Sequence, residues 1–190
     1  MPKLAAFTCA RENFDFLLTA KAALDLGFDS IVVAAPLRQL EWEPLREMLP
    51  RDATASIELF LPLPSSLPHG SPMPFQAASL DTEDRREALK QGLATLIEAE
   101  RKDVPLVHIP PIELEARLRE EWFSLRAGQP FVDERRAQIL SRRAKEAPLR
   151  LDSFKGLLGR LLESAERYGR RIAIIPGGFP DEVPSLREAQ

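Results

Sequence analysis

Two side chains carry chemistry that does not suit the segments holding them. Glu58 is the lone acid of the apolar run Ser56-Ile57-Glu58-Leu59-Phe60-Leu61, and His108 stands near the end of Val104-Pro105-Leu106-Val107-His108-Ile109. A carboxylate buried unpaired in such a run costs several kcal/mol or takes up a proton. Glu58 therefore either faces a polar interior or pairs with a basic side chain. An imidazole at a strand end can bind a substrate hydroxyl or a metal; the plainer reading is a ring held by a backbone hydrogen bond. Glu58 and His108 are the candidate catalytic residues.

The candidate binding residues are Cys9, His69, Gly177 and Gly178. Cys9 follows the first apolar run, but no histidine lies near it in sequence to activate the thiol, and a free cysteine is most often a small hydrophobe. His69 sits in a proline-rich stretch, where exposure to solvent is the plainer reading. Pro176-Gly177-Gly178 could offer backbone amides to a phosphate, although it lacks the Rossmann and Walker spacings and also reads as a tight turn. Two histidines and one cysteine exclude a His- or Cys-rich zinc site and any internal disulfide framework. The residues themselves propose no metal site.

These groups must be positioned by alternating short apolar runs and longer helical patterns. The runs are Leu4–Thr8, Ser30–Ala35, Ser56–Leu61, Val104–Ile109 and Ile172–Ile175. Helical periodicity spans Asn13–Leu26 with Gly27 at its end, Trp42–Met48, and a stretch opened by Asp81-Thr82-Glu83-Asp84 with Ala88, Leu89, Leu93, Leu96 and Ile97 inward. Residues 112–150 are charged and mostly helical in pattern, interrupted at Gly128-Gln129-Pro130. After them, Phe154, Leu157, Leu158, Leu161, Leu162 and Ala165 predict an amphipathic helix capped by Asp152 and ended by Gly169. Prolines at 62, 64, 68, 72 and 74 make residues 62–79 a loop, of a length that is usually functional or disordered.

The β-then-α order predicts an α/β protein with parallel strands, either an open doubly wound sheet or a TIM-barrel arrangement. Ser185-Leu186-Arg187-Glu188 is a capping-box pattern announcing a helix two residues before Gln190, which favours an incomplete or truncated barrel over a finished sheet. The 190 residues are 44% hydrophobic, enough for one cored domain over 1–190. Lys plus Arg is 26 against 29 for Asp plus Glu, a charge of −3 that argues against a dedicated nucleic-acid binder. Arg135, Arg136, Arg142, Arg143, Lys145 and Arg150 form a local basic run, read as a solvated helix face because Glu134 and Glu146 interleave. No signal peptide or membrane span is expected, and one cysteine fits a cytoplasmic setting.

Several segments together resemble the xylose isomerase-like TIM-barrel superfamily, which includes sugar phosphate isomerases and epimerases and endonuclease IV-like proteins. They are Ala147-Pro148-Leu149-Arg150-Leu151-Asp152 and Leu161–Ile174, with Gly27-Phe28-Asp29-Ser30-Ile31, Val107-His108-Ile109 and Phe179–Ser185. The resemblance covers about five of the family's eight β/α units. It implies a metal-assisted proton shift beside a sugar carbonyl, with Mn, Mg or Zn as cofactor. The family's fifth-strand metal-binding Glu, however, falls on Ile175, and a second-strand acid falls on Val32. Two readings follow: a sugar phosphate isomerase or epimerase, or a non-catalytic relative serving as a binding or assembly scaffold. The second expects a homo-oligomer or partner chain covering the open strand edge. A sugar or sugar phosphate is the expected small-molecule partner in the first.

Overall fold

The computed structural model describes residues 5–8, 16–33, 39–49, 54–58, 77–109, 112–114, 121–125, 130–175, 177, 182–185 and 187–188. Four helices have their full span within them, α1 (Phe16–Asp25), α2 (Gln39–Met48), α3 (Thr82–Arg101) and α4 (Val132–Arg167), and residues 121–124 are helical as well. The main sheet holds β1 (Ala5–Thr8), β2 (Ser30–Val33), β3 (Thr54–Glu58), β4 (Leu106–Ile109) and, after the two-residue β5 (Ile112–Glu113), β6 (Arg171–Ile174). The fold lies where the alternating pattern placed it, and the offsets are small. β3 begins two residues before its apolar run, and β6 begins one residue before its own.

Three helix-to-strand returns use one backbone device. Gly27 donates to the Leu24 carbonyl at 2.9 Å and Phe28 to that of Ala23 at 3.1 Å. The same pair of bonds recurs at Asp103 and Val104 after α3, and at Gly169 and Arg170 after α4. Each is a Schellman motif, which needs a left-handed residue just past the helix. Gly27 and Gly169 have φ of +89° and +62°, and Asp103, of a type that tolerates that region, has +52°. The strand resumes within two or three residues. The Arg171 amide then donates to Pro105 at 3.0 Å, fastening the entry of β6 beside β4.

The sheet order is β1-β2-β3-β4-β6, the order of the chain itself. The β1–β2, β2–β3 and β3–β4 ladders are parallel. A doubly wound sheet reverses its strand order at a switch point; this one never does, so the open-sheet alternative gives way to successive TIM-barrel units. Ile31, Val32 and Val33 are all buried, the continuous burial of a parallel strand covered on both faces.

The chain divides into two compact units. One comprises residues 1–74, 90–109 and 162–173; the other comprises 75–89, 110–161 and 174–190. In the second, β5 pairs antiparallel with β7 (Glu182–Val183), so residues 112–113 are strand and not the helix their charged context suggested. A two-residue strand carries no periodicity to read. The helix expected to start at Asp152 is also corrected, because α4 runs 36 residues straight through Pro148. Proline removes one intrahelical bond, but Ile139, Ala147, Phe154, Leu157 and Leu161 form one buried stripe across it. Packing of that stripe outweighs the lost bond. Asp152 is therefore an exposed interior residue, paired with Lys155 at 3.5 Å.

The Ser185–Glu188 capping pattern closes a turn; no helix is described there. Glu188 accepts from the Ser185 amide at 2.7 Å, the reciprocal bond of a capping box. Arg143 of α4 donates to both its oxygens, at 3.0 and 2.7 Å. Partial burial pushes the Glu188 carboxyl up, but the bonds from Arg143 and Ser185 and the Arg143 charge outweigh it and hold the group at about 2 against 4.5. With the folded value below the unfolded one, the stabilisation is complete above about 4.5 and is lost as pH falls towards 2. Glu188→Gln is expected to cost about 1 kcal/mol at neutral pH, the value of a part-exposed pair. Urea midpoints measured down through that range should converge with wild type in acid; a pH-independent gap contradicts the assignment.

Candidate functional site

The parallel ladder between β3 and β4 pairs Ser56 with Leu106, Ile57 with Val107 and Glu58 with His108. The two candidate catalytic residues, far apart in sequence, thus occupy paired positions at the carboxyl ends of neighbouring strands. Strands in a ladder lie about 4.8 Å apart, a spacing over which one small molecule can meet both positions. Barrel enzymes assemble their sites at this end of the sheet.

Along β4, Val107 and Ile109 are fully buried while Leu106 and His108 are half-buried. That alternation assigns His108 to the less occluded face. Both ring nitrogens are nevertheless buried, and neither has a hydrogen-bond partner among the described residues. Burial pushes the imidazole below its ordinary 6.5, so the ring is neutral at physiological pH. A neutral imidazole offers one N–H donor and one acceptor. A sugar hydroxyl, itself donor and acceptor, can satisfy either nitrogen.

Of the other candidates, Cys9, His69 and Gly178 lie outside the described residues. The Gly177 amide donates to the Pro184 carbonyl at 2.8 Å, and Gly177 bridges to Ser185. Its N–H is thus engaged in holding the chain and is not offered to a phosphate. The loop reading of residues 62–79 ends on Ala77, Ala78 and Ser79, all buried. Ser79 is part of a cap: its hydroxyl accepts from the Asp81 amide and donates to Asp84, while Asp81 accepts from the Glu83 amide at 2.7 Å.

Among the described residues, the side chains do not fit the metal implied by the resemblance. The second-strand acidic position is Val32, which is fully buried, and Ile175 follows β6. Among the described residues no group of three His, Cys, Asp or Glu side chains could hold an ion. Glu58 and His108 are two positions, fewer than the three protein ligands of a catalytic zinc site. The basic run on α4 is also less free than a solvated face. Arg142 bonds Glu121, Arg143 bonds Glu188, and the Arg136 guanidinium sits 5.6 Å from the Trp122 ring centroid. Trp122, which lies outside this run in sequence, comes to it only through the fold.

Parallel strands in chain order, joined by helices, define a protein built of successive TIM-barrel β/α units. Mannonate dehydratase from Streptococcus suis serotype 2 shares the fold, with a TM-score of 0.53 and 14% identity over 95% of this chain and 56% of its own. Two further structures match at a TM-score of 0.49. A D-tagatose 3-epimerase-like protein is 15% identical over 93% of this chain and 54% of its own. A protein described as a sugar phosphate isomerase/epimerase from Anabaena variabilis is 14% identical over the same shares. The chain spans little more than half the length of each neighbour. No family model matches the sequence, and neither does any curated protein. Among the described residues, no helix is long and apolar enough to cross a membrane.

Proposed function

We propose that this is an isomerase/epimerase-like barrel protein that binds a sugar or sugar phosphate at its strand ends through Glu58 and His108, without metal-assisted proton transfer. The observation that carries the reading is the register pair Glu58–His108, flanked by apolar residues where the resemblance requires metal-binding acids. The neighbour that shares the fold at a TM-score of 0.53 is described as a mannonate dehydratase, whose named substrate is a sugar acid. Fold alone does not transfer chemistry; what supports ligand binding here is a neutral imidazole whose nitrogens await hydroxyl partners.

The test is calorimetric titration with a panel of aldoses, ketoses and their phosphates, with and without Mn²⁺. Binding to one of them, equal in both conditions and lost in His108→Ala, is expected. Binding or epimerisation that requires Mn²⁺ overturns the metal-free reading. No binding by any panel member, with wild-type folding intact, overturns the ligand itself.

A further inference from the structure

We propose that the groove between the first turns of α3 and residues 153–160 of α4 binds a small organic phosphomonoester. The groove encloses about 360 Å³ and shares no residue with the strand-end pair. That volume sits near the lower end of small-molecule pockets, roughly 300–1,000 Å³. Arg85 and Arg86 reach it from α3 and Arg160 from α4, and no carboxylate lines it among the described residues. Three guanidinium groups line this one concavity; each already has a partner within the chain, and their remaining N–H groups favour an anion. A phosphomonoester carries up to two negative charges and three strong acceptor oxygens, and guanidinium forks match such oxygens in bidentate geometry.

Arg85 is held ready. Its Nη1 donates to the Ser79 carbonyl at 2.8 Å and its Nη2 to the Thr82 hydroxyl at 3.2 Å, so two of its five N–H groups are engaged. Arg86 pairs with Glu83 on the exposed helix surface; such a pair is worth little and exchanges readily for a better anion. The site does not rest on the helix end, whose first amides are already taken by Asp81.

The remaining lining argues for an organic group on the phosphate. Leu89 and Leu157 are largely buried and form an apolar floor that a bare anion would not use. Ser153 adds a hydroxyl, and at Gly156 an added Cβ would meet nothing within 4 Å. The wall is open there, so a larger side chain at that position would enter the groove without displacing backbone.

Amide chemical shifts of the full chain, titrated with phenyl phosphate, inorganic phosphate and phenol, test the assignment. Saturable shifts centred on Thr82, Ser153 and Gly156 are expected with phenyl phosphate, with weaker ones for inorganic phosphate and none for phenol. The double variant Arg85→Gln/Arg160→Gln should weaken binding at least about tenfold, and Gly156→Glu should abolish it while helix content is unchanged. His108→Ala should bind as wild type does, whatever becomes of the sugar site. Unshifted Gly156, binding indifferent to the double variant, or equal affinity for inorganic phosphate would each overturn the proposal. Loss of binding in His108→Ala overturns it too, by moving the ligand to the strand ends.

Discussion

Ile109→Ala is expected to remove about 2–5 kcal/mol of folding stability, the range for deleting a large aliphatic side chain from a core. Ile109 is fully buried at the end of β4, a strand with neighbours on both sides, β3 and β6. A strand fixed by two ladders cannot shift far to fill the space left behind, which argues for the upper part of that range. Domains of this size hold roughly 5–15 kcal/mol in all, so the variant would be close to unfolding at physiological temperature. Because β4 also carries His108, ligand binding should fail with the fold. Urea denaturation gives the comparison: the midpoint should drop with an unchanged m-value. Leu26→Ala is the control, since Leu26 is 79% exposed and its truncation should stay within about 0.5 kcal/mol. A loss at Ile109 no larger than at Leu26 would mean that β4 is not part of a cooperative core.

The positions of the β/α units were legible because they rest on local chemistry. Gly27 and Gly169 announce the left-handed residue their helix ends require, and Ile31 to Val33 read as a strand buried on both sides. Asp103 performs the same turn but does not announce it, since aspartate is common in many other settings. The continuity of α4 was hidden because Pro148 and Asp152 both resemble helix boundaries, and only long-range packing overrides them. At the candidate site the residue types were readable and the geometry was not. Nothing local tells that Glu58 and His108 share a register, which depends on how far β3 slides along β4. Arg85 and Arg160 are further apart still, and only the packing of two helices brings them to one groove.

His108→Leu is expected to stabilise the ligand-free protein and to abolish sugar binding. Both nitrogens of the ring are buried without partners among the described residues, and an unsatisfied buried polar group costs about 1–3 kcal/mol. Leucine of similar size removes that cost. The ring is only half-buried, so a gain near 1 kcal/mol is expected, or about 2–4 °C in Tm for a chain of this length. The pH dependence should change as well. Burial lowers the His108 pKa below 6.5, so as pH falls below that value the unfolded chain takes up a proton before the folded one does. Wild-type stability is therefore full above 6.5 and declines as pH falls towards the folded value. The leucine variant lacks this decline, so its advantage should grow on mild acidification. A residue kept at the expense of stability is what a binding role leaves in a fold. Thermal unfolding of both proteins across that range decides the matter. If His108→Leu is less stable than wild type, the ring nitrogens are satisfied within the chain and His108 is structural; a gain in stability with loss of sugar binding places it in the site.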